Sequence, residues 1–226
     1  MQAVDFDAVF FDFGGVVLSS PFEAFSVYEQ RAGLPPNAVR TINATNPDAN
    51  AWAQFERNEL SVEEFIERFE AEGRELGFDI DGVEVLRCLD GELRPEMVEV
   101  VGRCQQIATT AMLTNNVVSM SAAGFDERSG GSGIGTDGVD MFTEVLGYFD
   151  HIIESSAVGV RKPERRFYEI ACEVAQVEPS RVVFLDDLGI NLKPARELGM
   201  TTIKVVDPAM AIDDLEAVMG VSLRVL

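Results

Sequence analysis

Five short apolar runs punctuate the chain, separated by longer stretches in which apolar residues recur every three or four positions. The first run, Val9 to Val17 (VFFDFGGVV), sets Val9, Phe10, Phe11 and Phe13 around one carboxylate, Asp12, and is broken by Gly14 and Gly15. An apolar run bounded by glycines is the pattern of a strand buried on both faces, as in the middle of a parallel sheet. It predicts a strand from Asp7 to about Phe13 with Asp12 near its C-terminal end. The later runs predict strands at Ile107 to Leu113, ending in Thr114-Asn115-Asn116, at His151 to Glu154, at Arg181 to Leu185, closing on Asp186-Asp187, and at Thr201 to Val206.

No convincing strand falls between Pro21 and about Leu93. Helical periodicity marks Pro21 to Ala32, Pro36 to about Ala44, Asp48 to Glu56 and Ser61 to about Leu76. Ser61 followed by Glu64 is a capping box, with Phe65, Ile66 and Phe69 supplying the apolar face behind it. Trp52, Phe55, Phe65 and Phe69 are spaced as a core stripe, with a pocket rim as the second reading for Trp52, the sole tryptophan. Arg94 and Pro95 restart a helix to about Gln105, Phe142 to Leu146 forms a short one, and Glu164 to about Val174 another. A last helix runs to Leu198 with Gly199 as its stop signal. Strands alternating with helices indicate an α/β fold with a doubly wound parallel sheet, here carrying a helical insertion after the first strand.

At 226 residues and 46% hydrophobic content the chain suits one domain with a sizeable insertion, or two small ones. No run of about 18 apolar residues indicates a membrane span, and the N-terminus carries acids rather than a basic leader, which points to a cytoplasmic protein. Cys88, Cys104 and Cys172 lie far apart without C-x-x-C spacing, so reduced thiols are expected rather than a disulfide framework or a zinc site. The net charge of -21 opposes nucleic-acid backbones and anionic membranes. It also opposes an anionic substrate unless a metal or local cations reverse the field. The Gly-rich stretch Ser129 to Gly138 (SGGSGIGTDG) reads as a surface excursion, since it lacks the preceding strand and the Lys-Ser/Thr of a P-loop. His151, the only histidine, has no nucleophile beside it in sequence and is read as structural.

Candidate chemistry emerges when the strand ends are taken together. Asp12 closes the first strand and Thr114 the second, Lys162 precedes a helix, and Asp186 and Asp187 close the Arg181 strand. Two carboxylate positions, a hydroxyl with amide donors and one ammonium make a site for a divalent metal plus an oxyanion. Hard Mg2+ suits such oxygen ligands, whereas zinc would want His or Cys. A helix-entry turn with Asn191 as a later cap is the other reading of Asp186-Asp187.

These four elements, Asp12 in VFFDFGGV, Thr114 in LTNN, Lys162 in GVRKP and Asp186-Asp187 in FLDDLGINLKPARELGM, resemble in type and order those of the haloacid dehalogenase-like (HAD) hydrolases. The subgroup most resembled includes the N-terminal phosphatase domain of bifunctional soluble epoxide hydrolases. The resemblance implies a Rossmann-like core at residues 1–16 and 94–226 and a small helical cap domain at 17–93. It implies that Asp12 is the nucleophile, that Thr114 and the amide of Asn115 hold phosphoryl oxygens, and that Lys162 neutralises both nucleophile and phosphoryl group. Mg2+ would be held by Asp12, the Gly14 carbonyl and Asp187, with Asp186 as a ligand or anchor and Asn191 behind it.

One departure stands out. The family's phosphatases usually carry a second Asp two residues after the nucleophile, where this chain has Gly14. The expected function is hydrolysis of a small phosphomonoester with a labile ester bond. A metal- and phosphate-binding protein of little turnover, a 2-haloacid dehalogenase and a phosphotransferase are the alternatives. Arg57 is a candidate for a cap residue facing the site, and the chain is expected to be a monomer or homodimer.

Overall fold

The computed structural model describes residues 6–115 and 143–224. Asn116, the Ser129 to Gly138 stretch and Phe142 lie outside the described residues. The sheet has five strands, β1 (Ala8–Phe11), β2 (Thr109–Thr114), β3 (His151–Glu154), β4 (Val182–Asp186) and β5 (Thr201–Lys204), in the order β3-β2-β1-β4-β5. Every neighbouring pair is parallel. The helices are α1 (Pro21–Ala32), α2 (Ala38–Ala44), α3 (Ala51–Glu56), α4 (Val62–Glu75) and α5 (Gly82–Arg87) in the insertion. Around the sheet lie α6 (Pro95–Gln105), α7 (Ser155–Val158), α8 (Arg165–Ala175), α9 (Gly189–Glu197) and α10 (Pro208–Met219), with one helical turn at residues 143–146.

Every residue of β1 and β4 is buried because apolar clusters cover both faces. Val9, Phe11, Val183 and Leu185 pack with Met97 and Val101 of α6 and Leu215 of α10. Ala8, Phe10, Val182 and Phe184 pack on the opposite face with Phe167 of α8 and Leu192 of α9. This two-sided burial is why the strands read as continuous apolar runs rather than alternating ones. The sheet order reverses at β1, with β2 and β3 on one side of it and β4 and β5 on the other. The strand ends at such a reversal form a crevice.

Several boundaries differ from the sequence expectation for local reasons. β1 stops at Phe11 because the Asp12 carboxylate accepts the Phe13 N–H at 2.7 Å and caps a tight turn, Phe13–Val17. β2 begins at Thr109, since Ile107 and Ala108 still donate their N–H groups to Cys104 at the end of α6. Consequently Thr114 is the last residue of the strand. β4 is shifted to Val182–Asp186, β5 ends at Lys204, α2 begins only at Ala38, and α3 begins at Ala51 because Asn50 accepts the Ala53 N–H at 2.8 Å. The capping box at Ser61 forms with both arms. Three helices have no counterpart in the sequence reading: α5, capped by Asp81, the short α7, and α10, capped by Asp207 and stopped at Gly220.

The insertion has its own apolar cluster. Phe65 is fully buried, stacked on Phe55 at 4.4 Å and Phe69 at 5.3 Å between ring centroids, and Trp52 packs edge-on against it at 5.6 Å. Trp52 thus belongs to the aromatic core. The two linkers joining insertion and sheet are laced together: Leu18 bridges Leu93, the Ser19 N–H donates to Glu92 at 2.8 Å, and the Arg94 N–H donates to Val17 at 2.9 Å. Replacing Phe65 by Ala should cost about 3–5 kcal/mol, the usual range for emptying a buried aromatic position. Urea denaturation measures it, and a loss below about 1 kcal/mol would show that the cluster is loosely packed.

Candidate active site

The strand ends at the sheet reversal bring four of the expected residues into direct contact. The Asp12 N–H donates to Leu185 at 2.8 Å, which sets the end of β1 beside the end of β4. The fully buried Lys162 ammonium lies 2.7 Å from Asp12 Oδ1 and 2.9 Å from Asp186 Oδ2. Asp186 is also held at Oδ1 by the Leu188 N–H at 2.8 Å, while the Asn191 amide reaches both its oxygens, at 3.0 and 3.1 Å. Asn191 therefore sits inside α9 as an anchor for Asp186, not as a helix cap. Asp186 is saturated by these partners, and its neighbour Asp187 turns instead toward the backbone of Gly15.

That close approach depends on glycine. Gly15 has φ +81°, and a Cβ there would lie 2.3 Å from Asp187 Oδ2. Gly14, by contrast, has φ -68°, and a Cβ would meet nothing within 4 Å. The left-handed conformation is thus confined to the second glycine of the pair. The Arg94 guanidinium donates to the Gly15 carbonyl at 2.7 Å and pins this turn to the returning linker.

Oxygens of Asp12, Asp186 and Asp187 lie within 4.8 Å of one another. Burial raises the carboxyl of Asp12 well above its ordinary value; Lys162 pulls it down, and Asp186 and Asp187 push it up again. Burial and the Asp186 charge likewise push Asp187 up to about 6. Burial disfavours the Lys162 ammonium, but Asp12 and Asp186 more than offset this and hold its pKa above the usual lysine value. Three carboxylates against one ammonium leave a local charge deficit that a divalent cation would neutralise, and the all-oxygen donor set fits Mg2+.

Thr114 lies buried at the end of β2, and Asn115 follows it. The Asn115 side chain is bonded reciprocally to the main chain of Lys162: Oδ1 accepts the Lys162 N–H at 2.8 Å and Nδ2 donates to the Lys162 carbonyl at 2.9 Å. Arg57 is not aimed at this centre. It pairs with Glu59 at 2.8 Å and donates to the Asp48 carbonyl at 3.0 Å. His151 starts β3, at the opposite end of the sheet from the carboxylates. Burial pushes the Cys88 and Cys172 thiols up to about 11 and Cys104 up to about 12, which keeps all three protonated at neutral pH. No helix among the described residues is long and apolar enough to cross a membrane.

The sequence reading missed Arg94, Arg161 and Glu56. Glu56 ends α3 in the insertion, yet its carboxylate pairs with Arg161 and accepts the Asn115 Nδ2 hydrogen at 3.3 Å. Burial raises its carboxyl and Arg161 opposes the shift, leaving it above the ordinary value. Its partners Asn115 and Arg161 lie 59 and 105 positions away in sequence, beyond any local signal.

A family model for haloacid dehalogenase-like hydrolases matches residues 6–199. The chain belongs to this hydrolase family. A stretch of 115 residues, 51% of this HAD-like chain, is 40% identical to bifunctional epoxide hydrolase 2 of Sus scrofa, of which it covers 19%. A sesquiterpene phosphatase of Aspergillus oryzae is 23% identical over 219 residues, 95% of this chain and 97% of that protein. The chain spans 14% to 21% of the length of the first curated relatives it matches. Among solved structures, a HAD family enzyme of Bacteroides thetaiotaomicron in complex with magnesium and inorganic phosphate shares the fold at TM-score 0.57 and 17% identity, covering 88% of this chain and 93% of that one.

The two glycines of the HAD-like turn should respond differently to substitution. Gly15→Ala should destabilise by about 1–2 kcal/mol from the left-handed backbone alone, with the displacement of Asp187 added. Gly14→Ala should change stability by less than about 1 kcal/mol. Chemical denaturation of both variants checks the contrast, and equal effects would refute it.

Proposed function

We propose that this HAD-like hydrolase is a Mg2+-dependent phosphatase of a small phosphomonoester, with Asp12 as nucleophile. The observation that carries the reading is the single ammonium of Lys162 shared by Asp12 and Asp186, with Asp187 beside them, at the reversal of a parallel sheet. The phosphatase name of the full-length Aspergillus relative supports the same class of reaction. The laced linkers support a core of residues 1–16 and 94–226 with a cap domain at 17–93.

Lys162 and the Phe13 N–H both engage Asp12 Oδ1, which leaves Oδ2 for attack on phosphorus. The ester P–O bond breaks as the Asp12–phosphorus bond forms, and water then attacks phosphorus to release phosphate and restore the carboxylate. Lys162 stays beside the group throughout, so its charge compensates first the carboxylate and then the transferring phosphoryl oxygens. The Thr114 hydroxyl and the Asn115 N–H are the donors for phosphoryl oxygens at the neighbouring strand end. Mg2+ would be held by Asp12, Asp187 and the Gly14 carbonyl and would supply charge neutralisation for the substrate phosphate. Asp186, saturated by Lys162, Leu188 and Asn191, acts as the anchor rather than as a principal ligand.

Gly14 offers no carboxyl to protonate the leaving oxygen. General acid-base help is worth about 10^2 to 10^4 in rate, so substrates with good leaving groups, such as sugar 1-phosphates, acyl phosphates or aryl phosphates, are the ones this site suits. The same absence gives the second reading its support, a protein that binds metal and phosphate but turns over slowly.

Phosphate release from a panel of sugar, nucleotide, acyl and aryl phosphates tests both. Turnover should need Mg2+, stop on chelation with EDTA and vanish in Asp12→Asn; full activity in that variant would sink the mechanism. Binding of Mg2+ and phosphate without release would favour the second reading. Because the backbone at Gly14 suits any residue and space is open, Gly14→Asp should raise the rate on poor leaving groups by roughly 10^2. An unchanged rate would show that proton donation is not what limits the enzyme.

A further inference from the structure

The contact between cap and core is concentrated at the C-terminal end of α3. The Glu56 carboxylate pairs with Arg161, whose guanidinium also donates to the Pro47 carbonyl at 2.5 Å. The main-chain carbonyl of Glu56 accepts the Ser155 hydroxyl at 2.5 Å. Arg57 adds an ion pair to Glu164 at 3.6 Å. These core partners flank the loop that delivers Lys162.

Glu56 also constrains Asn115, the residue after Thr114. The Asn115 carboxamide spends Oδ1 on the Lys162 N–H and one Nδ2 hydrogen on the Lys162 carbonyl. Its other Nδ2 hydrogen goes to Glu56, so both amide hydrogens and one lone pair of Oδ1 are used and the orientation of the amide is fixed. A carboxylate can only accept, which forbids the flipped amide. The end of β2 and the segment carrying Lys162 are thereby locked to one another, and both are locked to the cap.

We propose that Glu56 is a positioning residue through which the cap sets the phosphate-holding side of the site. This rests on the reading of the strand ends as a phosphate site. Glu56 acts through Asn115 and Arg161, one residue away from Thr114 and Lys162 respectively, and displacement by about 1 Å at such distances costs on the order of 10^2 in rate. A reporter is built in: the indole N–H of Trp52, the sole tryptophan, donates to Glu56 Oε1 at 3.0 Å. A ligand that tightens or loosens the Glu56 network changes the environment of that indole.

The test is titration of the Mg2+-loaded protein with inorganic phosphate, followed by Trp52 fluorescence and in parallel by calorimetry. The wild type should bind phosphate with a change in Trp52 emission. Glu56→Gln, which can still accept the Trp52 N–H but cannot pair with Arg161, should weaken phosphate binding roughly tenfold to a hundredfold and lose the emission change. The double variant Glu56→Ala/Arg161→Ala removes both charges of the pair, avoids a stranded guanidinium and should weaken phosphate binding at least as much as Glu56→Gln; recovery to wild-type affinity would trace the loss to the stranded guanidinium and overturn the inference. Glu99→Gln, which breaks only a surface pair with Arg103 on α6, should behave as wild type.

Wild-type affinity in Glu56→Gln, or a Trp52 signal that stays silent while calorimetry shows phosphate binding, would overturn the inference. If the wild type binds no phosphate, the phosphate-site reading falls and the inference with it. If it binds phosphate and reports through Trp52 but hydrolyses nothing, only the hydrolytic reading fails.

Discussion

One buried ammonium holds the centre of this molecule together. Lys162 is withdrawn from water between Asp12 and Asp186, and its charge opposes the burial that pushes the Asp12 carboxyl up. Removing one partner from such a buried cluster leaves an uncompensated charge, typically a loss of about 3–5 kcal/mol. The arrangement therefore constrains three chain segments at once: the end of β1, the end of β4 and the loop before α8. Even so, the carboxylates outnumber the ammonium, and the raised pKa values of Asp12 and Asp187 express burial first and the neighbouring carboxylates second. Such a cluster of carboxylates, in a chain of net charge -21, could hold a cation.

The turn after Asp12 shows how two adjacent glycines serve different ends. Gly15 is needed for its left-handed backbone and for the room it leaves to Asp187, with Arg94 holding its carbonyl. Gly14 adopts an ordinary conformation in open space, so its lack of a side chain answers no steric demand. Folding therefore does not require glycine at this position, and under the proposed phosphatase reading protonation of the leaving oxygen would fall to water.

The helical insertion folds around its own aromatic cluster but is tied to the sheet at two places of different character. The laced linkers at Leu18 and Leu93 are backbone contacts, indifferent to what the site contains. The junction at Glu56 is made by charged side chains adjoining Thr114 and Lys162. Ionic contacts of this kind depend strongly on neighbouring charge and hydration, so this junction, unlike the linkers, is sensitive to charge placed beside it.

Much of this was legible in one dimension. Apolar runs such as RVVFL and VFFDF specify buried strands because both faces of the sheet are covered, and the carboxylates, hydroxyl and lysine stand at or near their ends in a recognisable order. The capping box at Ser61 is equally local. Helix α10 was legible in principle from Asp207-Pro208 and Gly220, signals that lie past the last strand. Tertiary structure alone decided which carboxylate of the Asp186-Asp187 pair is saturated, which glycine carries the positive φ, and which cap side chain reaches the core. Those outcomes depend on groups such as Lys162 and Asp186, 24 positions apart, and Glu56 and Arg161, 105 apart, and on backbone angles set by packing, whereas strand and helix patterns record only the burial of residues a few positions from one another.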